Sequence, residues 1–108
     1  MSVNISPEGF PAAHQMAFEA AQDAVAGLPD NDACGFAWVE VYGVRSNSKM
    51  GKAMLAAGFR KSYNGSLTLW NPSRAPVQSI GVLEKGAQAY AMTLKYYGFE
   101  AYMCSRLD

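Results

Sequence analysis

Residues 34–42 read Cys34-Gly35-Phe36-Ala37-Trp38-Val39-Glu40-Val41-Tyr42. Taken as a strand, the alternation sends Phe36, Trp38 and Tyr42 to one face and Ala37, Val39 and Val41 to the other. A helix can pack closely on the small aliphatic face. The aromatic face then meets water, another element, a ligand or a partner, and that choice decides most of what the protein does.

Upstream of this stretch, Pro7, Gly9 and Pro11 mark residues 1–11 as an irregular lead-in. Residues 12–26 are strong helix formers, with Met16, Ala20 and Ala24 at i, i+4 spacing and Phe18 and Val25 nearby. Gly27, Pro29, Asp30, Asn31 and Asp32 stop that helix and form a loop. Downstream, the strand ends near Gly43. Ser46, Asn47 and Ser48 offer caps for a short helix with Met50, Ala53, Met54 and Ala57 on one stripe.

An internal echo follows. Leu55-Ala56-Ala57-Gly58-Phe59 matches Lys95-Tyr96-Tyr97-Gly98-Phe99 in kind: a helix end, a Gly, a Phe, then a strand. Between the copies, Asn64-Gly65 separates two alternating segments and signals a hairpin. Asn71-Pro72-Ser73 stops its second arm. A long helix after Gly81 carries Leu83, Ala87, Tyr90, Ala91 and Leu94 on one face, and residues 99–104 form the last strand.

Residues 1–32 are thus a lead-in and helix, and residues 33–108 an α+β domain, together one globular unit. The order after the first helix is strand, helix, strand, hairpin turn, strand, helix, strand. That is the ferredoxin-like split βαβ arrangement. In it two helices cover one sheet face and leave the other open. Strand parity then gathers Phe36, Trp38, Tyr42, Trp70 and Tyr102 on the open face, with Leu67, Leu69, Ala101 and Met103 inward. So large an apolar patch is seldom bare on a monomer. Three readings compete for it. The first helix covers it with Met16, Phe18 and Ala20; or it is a protein interface, with self or another protein; or it stacks nucleobases.

Composition narrows the choice. The chain has 108 residues, half of them hydrophobic and 17% charged, the profile of one folded domain. Nine basic residues balance nine acidic ones, so no global positive field gathers polyanions. A local basic and polar rim is still available from Arg45, Arg60, Lys61, Gln78, Ser79, Lys85 and Arg106. Gln78, Ser79 and Lys85 surround the start of the second long helix, where free amides favour an anion, although Ser79 reads more readily as a cap than as a ligand contact. No apolar run approaches the ~20 residues of a membrane span. The N-terminus lacks the basic start and apolar stretch of a signal peptide, so a cytoplasmic protein with reduced Cys34 and Cys104 is expected.

Catalytic and metal chemistry have little to stand on. His14, the single histidine, reads as a surface helical residue. Cys34 and Cys104 form no CxxC and no zinc pattern. The carboxylates are scattered, and Glu40, alone among aromatics, is expected to pair with Arg60 or Lys61 or to recognise a ligand's donors. No cofactor and no catalytic residue is assigned. The tail Ser105-Arg106-Leu107-Asp108 is expected to be pinned by an ion pair of Arg106, with Asp108 or another carboxylate, or to join a recognition site.

CGFAWV at 34–39, the block 63–70, Gln78-Ser79, the helix with Lys85 and SRLD at 105–108 together resemble small accessory proteins of tailed bacteriophages. The resemblance spans residues 34–108 and carries no catalytic residue with it. It implies production in an infected bacterial cell and a task of binding a host or phage component. The expectation is a non-enzymatic binding protein. It acts on a host or phage protein, for instance as an inhibitor of a host factor or defence system, or self-assembles, a homodimer being one form. The alternative sequesters a nucleotide or single-stranded nucleic acid on Trp38, Tyr42 and Trp70, with Arg45, Arg60 and Arg106 holding phosphate.

Overall fold

The computed structural model describes residues 3–108. A 3-10 turn, Pro7–Gly9, leads directly into helix α1, Phe10–Val25. Pro11 sits in the first turn of α1, where a missing N–H costs nothing, so the helix starts before residue 12. Strand β1 is Gly35–Tyr42, helix α2 is Lys49–Ala56, strand β2 is Arg60–Lys61 and strand β3 is Leu67–Trp70. Helix α3, Ile80–Tyr96, and strand β4, Glu100–Leu107, complete the chain.

The four strands form one sheet in the order β2-β3-β1-β4, antiparallel throughout. Each helical crossover skips one position and returns parallel to its starting strand, which is the ferredoxin-like order expected. Val39 and Val41 of β1, Leu67 of β3 and Ala101 of β4 are fully buried, and Ala37 and Leu69 nearly so. They join Met54 of α2 and Leu83, Ala87, Tyr90 and Leu94 of α3 in one core. Helices thus cover the small aliphatic face.

The Gly-Phe echo builds two equivalent corners. Gly58 (φ 118°) and Gly98 (φ 92°) are left-handed, and the N–H groups of Phe59 and Phe99 reach back to the carbonyls of Met54 and Leu94, each at 3.1 Å. Both rings drop into the core, where Phe10 of α1 meets them edge-on at centroid distances of 6.1 and 5.8 Å. Burying a side chain of this size contributes about 2–3 kcal/mol.

Three local expectations are corrected. The buried stripe of α1 is Phe10, Ala13, Ala17 and Ala21, packed chiefly on α3, while Met16 is 57% exposed. With alanines on several sides of this helix, Phe10 decides which side goes in. The hairpin loop is longer than Asn64-Gly65: Gly65 alone is left-handed, the Gly65 N–H bonds to the Ser62 carbonyl at 3.1 Å, and Ser62–Ser66 closes the loop at 2.9 Å. Finally, β4 runs three residues past Cys104, because Gly35 lets the Arg106 backbone approach. A Cβ at Gly35 would lie 2.7 Å from the Arg106 carbonyl oxygen.

Candidate binding face of the sheet

Among the described residues no helix lies on the other side of the sheet. Trp70 is 48% exposed, Tyr102 44%, and Phe36 and Tyr42 37% each, with Trp38 half-buried among them. Helix α1 lies on the helical side against α3, so the expectation that Met16, Phe18 and Ala20 cover the aromatics is overturned. The rings organise one another instead. Trp38 and Trp70 are directly cross-strand and stacked, with centroids 4.6 Å apart and planes 21° apart. Phe36 meets Trp70 edge-on at 6.0 Å, and Tyr42 leans on Tyr102 at 5.9 Å.

Glu40 stands between these two groups on β1 and holds both. Trp38 Nε1 (3.1 Å) and Cys104 Sγ (3.2 Å) donate to its Oε2, while Tyr42 OH and Ser66 Oγ, both at 3.0 Å, donate to Oε1. Partial burial pushes the Glu40 carboxyl up, but the bonds from Cys104, Trp38, Tyr42 and Ser66 outweigh it, and the group titrates below its ordinary value. The same contacts act in reverse on two donors. Burial, then the hydrogen bond and charge of Glu40, push the Cys104 thiol up to about 11. The Tyr42 hydroxyl is raised chiefly by its bond to Glu40. Tyr102 is raised as well, chiefly by the charge of Glu100. The expected pairing of Glu40 with Arg60 or Lys61 does not occur. Its partners are four uncharged donors, and the Arg60 guanidinium donates to the Phe59 carbonyl at 3.5 Å.

The basic and polar rim is divided. Arg106 faces Phe36 across the β1–β4 pair and lies 5.4 Å over its ring, so the tail continues the sheet rather than closing on Asp108. Arg45 lies past the other end of β1, beside a hollow lined by Val3, Ile5 and Met50. Phe36 and Tyr42 are already about 20 Å apart along the strand. Arg60 and Lys61 sit on β2 at the opposite edge from β4. Lys85 is an exposed residue of α3, on the helical side.

Gln78 and Ser79 serve the fold. The Gly35 N–H bonds to the Gln78 carbonyl at 3.0 Å, and the Cys34 thiol to its side-chain oxygen at 3.3 Å. Ser79 is 1% exposed and caps α3. The amides at this helix start are taken by the chain's own acids: Asp30 Oδ1 accepts from Ser79 N at 2.8 Å, and Asp32 Oδ2 from Gly81 N at 3.1 Å, with Ser79 Oγ also bonded to Asp32. The anion expected there is built in. Asp30 and Asp32 read as plain loop residues in the sequence, and only their place before a strand that begins beside the start of α3 could signal this role.

His14 is another correction. It is half-buried rather than on the surface: its ring stacks on Phe10, and Nδ1 lies 2.6 Å from the hydroxyl of fully buried Tyr90. Burial, and then the nearby positive charge of Arg74, hold its pKa below the ordinary 6.5. Cys34 and Cys104 are free thiols. Among the described residues no group of three or more His, Cys, Asp or Glu is placed to hold a metal ion, and no helix is long and apolar enough to cross a membrane. No protein-family model matches the chain, and comparisons with curated proteins and with solved structures give no match either.

Proposed function

We propose that this is a non-enzymatic binding protein that grips another protein with the open aromatic face of its sheet. The observation that carries the reading is the exposed group Phe36, Tyr42, Trp70 and Tyr102, with half-buried Trp38 among them, on a face that no helix of the described residues crosses. Trp and Tyr are the side chains that most often anchor protein contacts. Ring–ring contacts and the Glu40 hydrogen bonds already restrict all five rings, so less side-chain entropy is lost on docking. Among the described residues no strand pairs with the outer edge of β4, which leaves eight residues where a partner strand can extend the sheet beside the aromatics. In the phage setting that the resemblance implies, the partner is a host or phage protein in the bacterial cytoplasm, or a second copy of the chain.

The protein-directed reading is preferred to nucleotide or single-strand binding for three reasons. A carboxylate stands in the middle of the face. Trp38 and Trp70 spend a ring face on each other. Arg45, Arg60 and Arg106 lie at separate edges, too far apart to follow one phosphate chain.

The test compares wild type with Trp70→Ala and Tyr102→Ala as bait for quantitative mass spectrometry of bound bacterial proteins, with light scattering for self-association. A central aromatic anchor is worth about 2 kcal/mol, or roughly thirtyfold in affinity. A partner or self-complex weakened to that extent by both variants supports the reading. Binding that is indifferent to both overturns it.

A further inference from the structure

Between α1, strand β2 and the loop after β3 lies a cleft of about 360 Å³, a volume suited to a small ligand. Its lining includes His14, Phe18, Arg60, Trp70, Asn71 and Arg74, and no carboxylate among the described residues. Two arginines and a histidine therefore line one hollow, with no acidic residue among the described ones on its wall. In an electrically neutral chain this local excess of cationic donors stands out.

The loop that carries Arg74 is built to hold it there. Asn71 (φ 45°) and Arg74 (φ 58°) are the non-glycine residues in left-handed conformation among the described residues. For Arg this costs about 1 kcal/mol or more, a cost that clusters at ligand clamps. The turn is tied at every step: Arg74 N–H to the Asn71 carbonyl at 2.9 Å, Asn71 Nδ2 to the Ala75 carbonyl at 3.1 Å, and Ala75 N–H to Ser73 Oγ at 3.3 Å. Ser73 is itself buried, against α3 at Gly86. Arg74 also lies 5.9 Å over the Phe18 ring, which orients the guanidinium.

His14 supplies a third donor by a chain of hydrogen-bond logic. The Tyr90 hydroxyl is buried, and burial raises its pKa, so it keeps its proton. Its hydrogen-bond partner is His14 Nδ1, and a buried hydroxyl hydrogen needs an acceptor. Tyr90 therefore donates to Nδ1, and the neutral imidazole carries its hydrogen on Nε2, free to donate to the cleft.

We propose that this cleft binds a small organic oxyanion, a carboxylate or phosphate carried on a flat ring. Arg60 and Arg74 take the oxyanion, His14 Nε2–H adds a hydrogen bond, and the ring lies against Trp70. The cleft shares Trp70 with the aromatic face, but His14 and Arg74 lie off that face, so loss of binding on Arg74→Gly reads the cleft alone while Tyr102→Ala reads the face alone.

Isothermal titration of the full chain with benzoate, phenyl phosphate and inorganic phosphate tests this. Arg60→Ala and Arg74→Gly remove the guanidinium groups, glycine being chosen because it suits the left-handed position. Arg106→Ala, at the far edge of the sheet, is the control. The expected result is single-site binding of benzoate or phenyl phosphate, the tighter of the two identifying the anion, with inorganic phosphate weaker than either. Each cleft variant weakens it about tenfold or more, the value of a charged hydrogen bond, while Arg106→Ala leaves it unchanged. Thermal melts confirm that the variants fold. No saturable binding up to about 10 mM overturns the proposal, as does equal weakening by Arg106→Ala or binding that survives both cleft variants.

Discussion

Replacing Glu40 by Gln keeps shape and removes charge at the point where the two halves of the aromatic face meet. Four donors converge on this carboxylate, two on each oxygen. Bonds to a charged acceptor are worth about 1.5–3 kcal/mol and neutral ones about 0.5–1.5 kcal/mol. Losing the charge at four dry bonds would cost about 4 kcal/mol. The outer side of the face is open to water, however, and exposed Tyr42 can turn to it. Ser66 can accept from the new amide and donate to Asn64. The half-buried donors Trp38 and Cys104 then carry most of the effect, about 1–2 kcal/mol. Urea unfolding at neutral pH should show the midpoint fall by that amount with an unchanged slope. The sign with pH follows from the depressed carboxyl. Its stabilisation is present above the ordinary value of 4.5 and lost as pH falls through the lower folded value, so Glu40→Gln should remove that acid limb. A variant within about 0.5 kcal/mol of wild type, with the acid limb intact, would refute the assignment of Glu40 as organiser of the face.

Further outcomes follow from the same geometry. With its pKa near 11, Cys104 is about one part in a thousand thiolate at pH 8, so a thiol reagent should label exposed Cys34 and spare Cys104, and Glu40→Gln should speed Cys104 labelling only in part, because burial is the larger cause. Phe10→Ala should cost about 3–5 kcal/mol in chemical denaturation, because the ring is fully buried between Phe59 and Phe99; a loss below about 1 kcal/mol would contradict an integral α1. The depressed pKa of His14 means that its contribution is present above 6.5 and lost as pH falls through the folded value, where the unfolded chain binds the extra proton. His14→Gln should flatten the stability profile in that window, and an unchanged profile would place the titration elsewhere.

The parts of the fold legible in the sequence are those set by local periodicity. Alternation along residues 34–42, 67–70 and 100–104 assigned every side chain to its face, and the repeated Gly-Phe corners marked where each helix returns to the sheet. Helix α1 was harder to orient. Its alanines fit several faces, and Pro11 masked the contribution of Phe10 by resembling a break rather than a first turn. The tail SRLD is polar and carries no strand signal, yet β4 extends as far as Leu107 because Gly35 permits close approach. The rim read from residue type alone divided among separate edges, since basic side chains carry no periodicity that fixes their place. Glu40 with its four donors, the Asp30 and Asp32 caps, and the cleft of His14, Arg60 and Arg74 all arise from residues distant in the chain. Only tertiary structure brings them together.

The central claim is that the aromatic face, and not the helical side, meets a protein partner. Site-specific photo-crosslinking in bacterial cells tests it most directly, with a benzophenone amino acid placed in turn at positions 36, 70 and 102 of the face and at exposed positions 22 and 88 of α1 and α3. The account predicts discrete protein adducts, self or foreign by mass, from the three face positions and none from the two helical ones. Adducts from the helical positions with a silent face would contradict it.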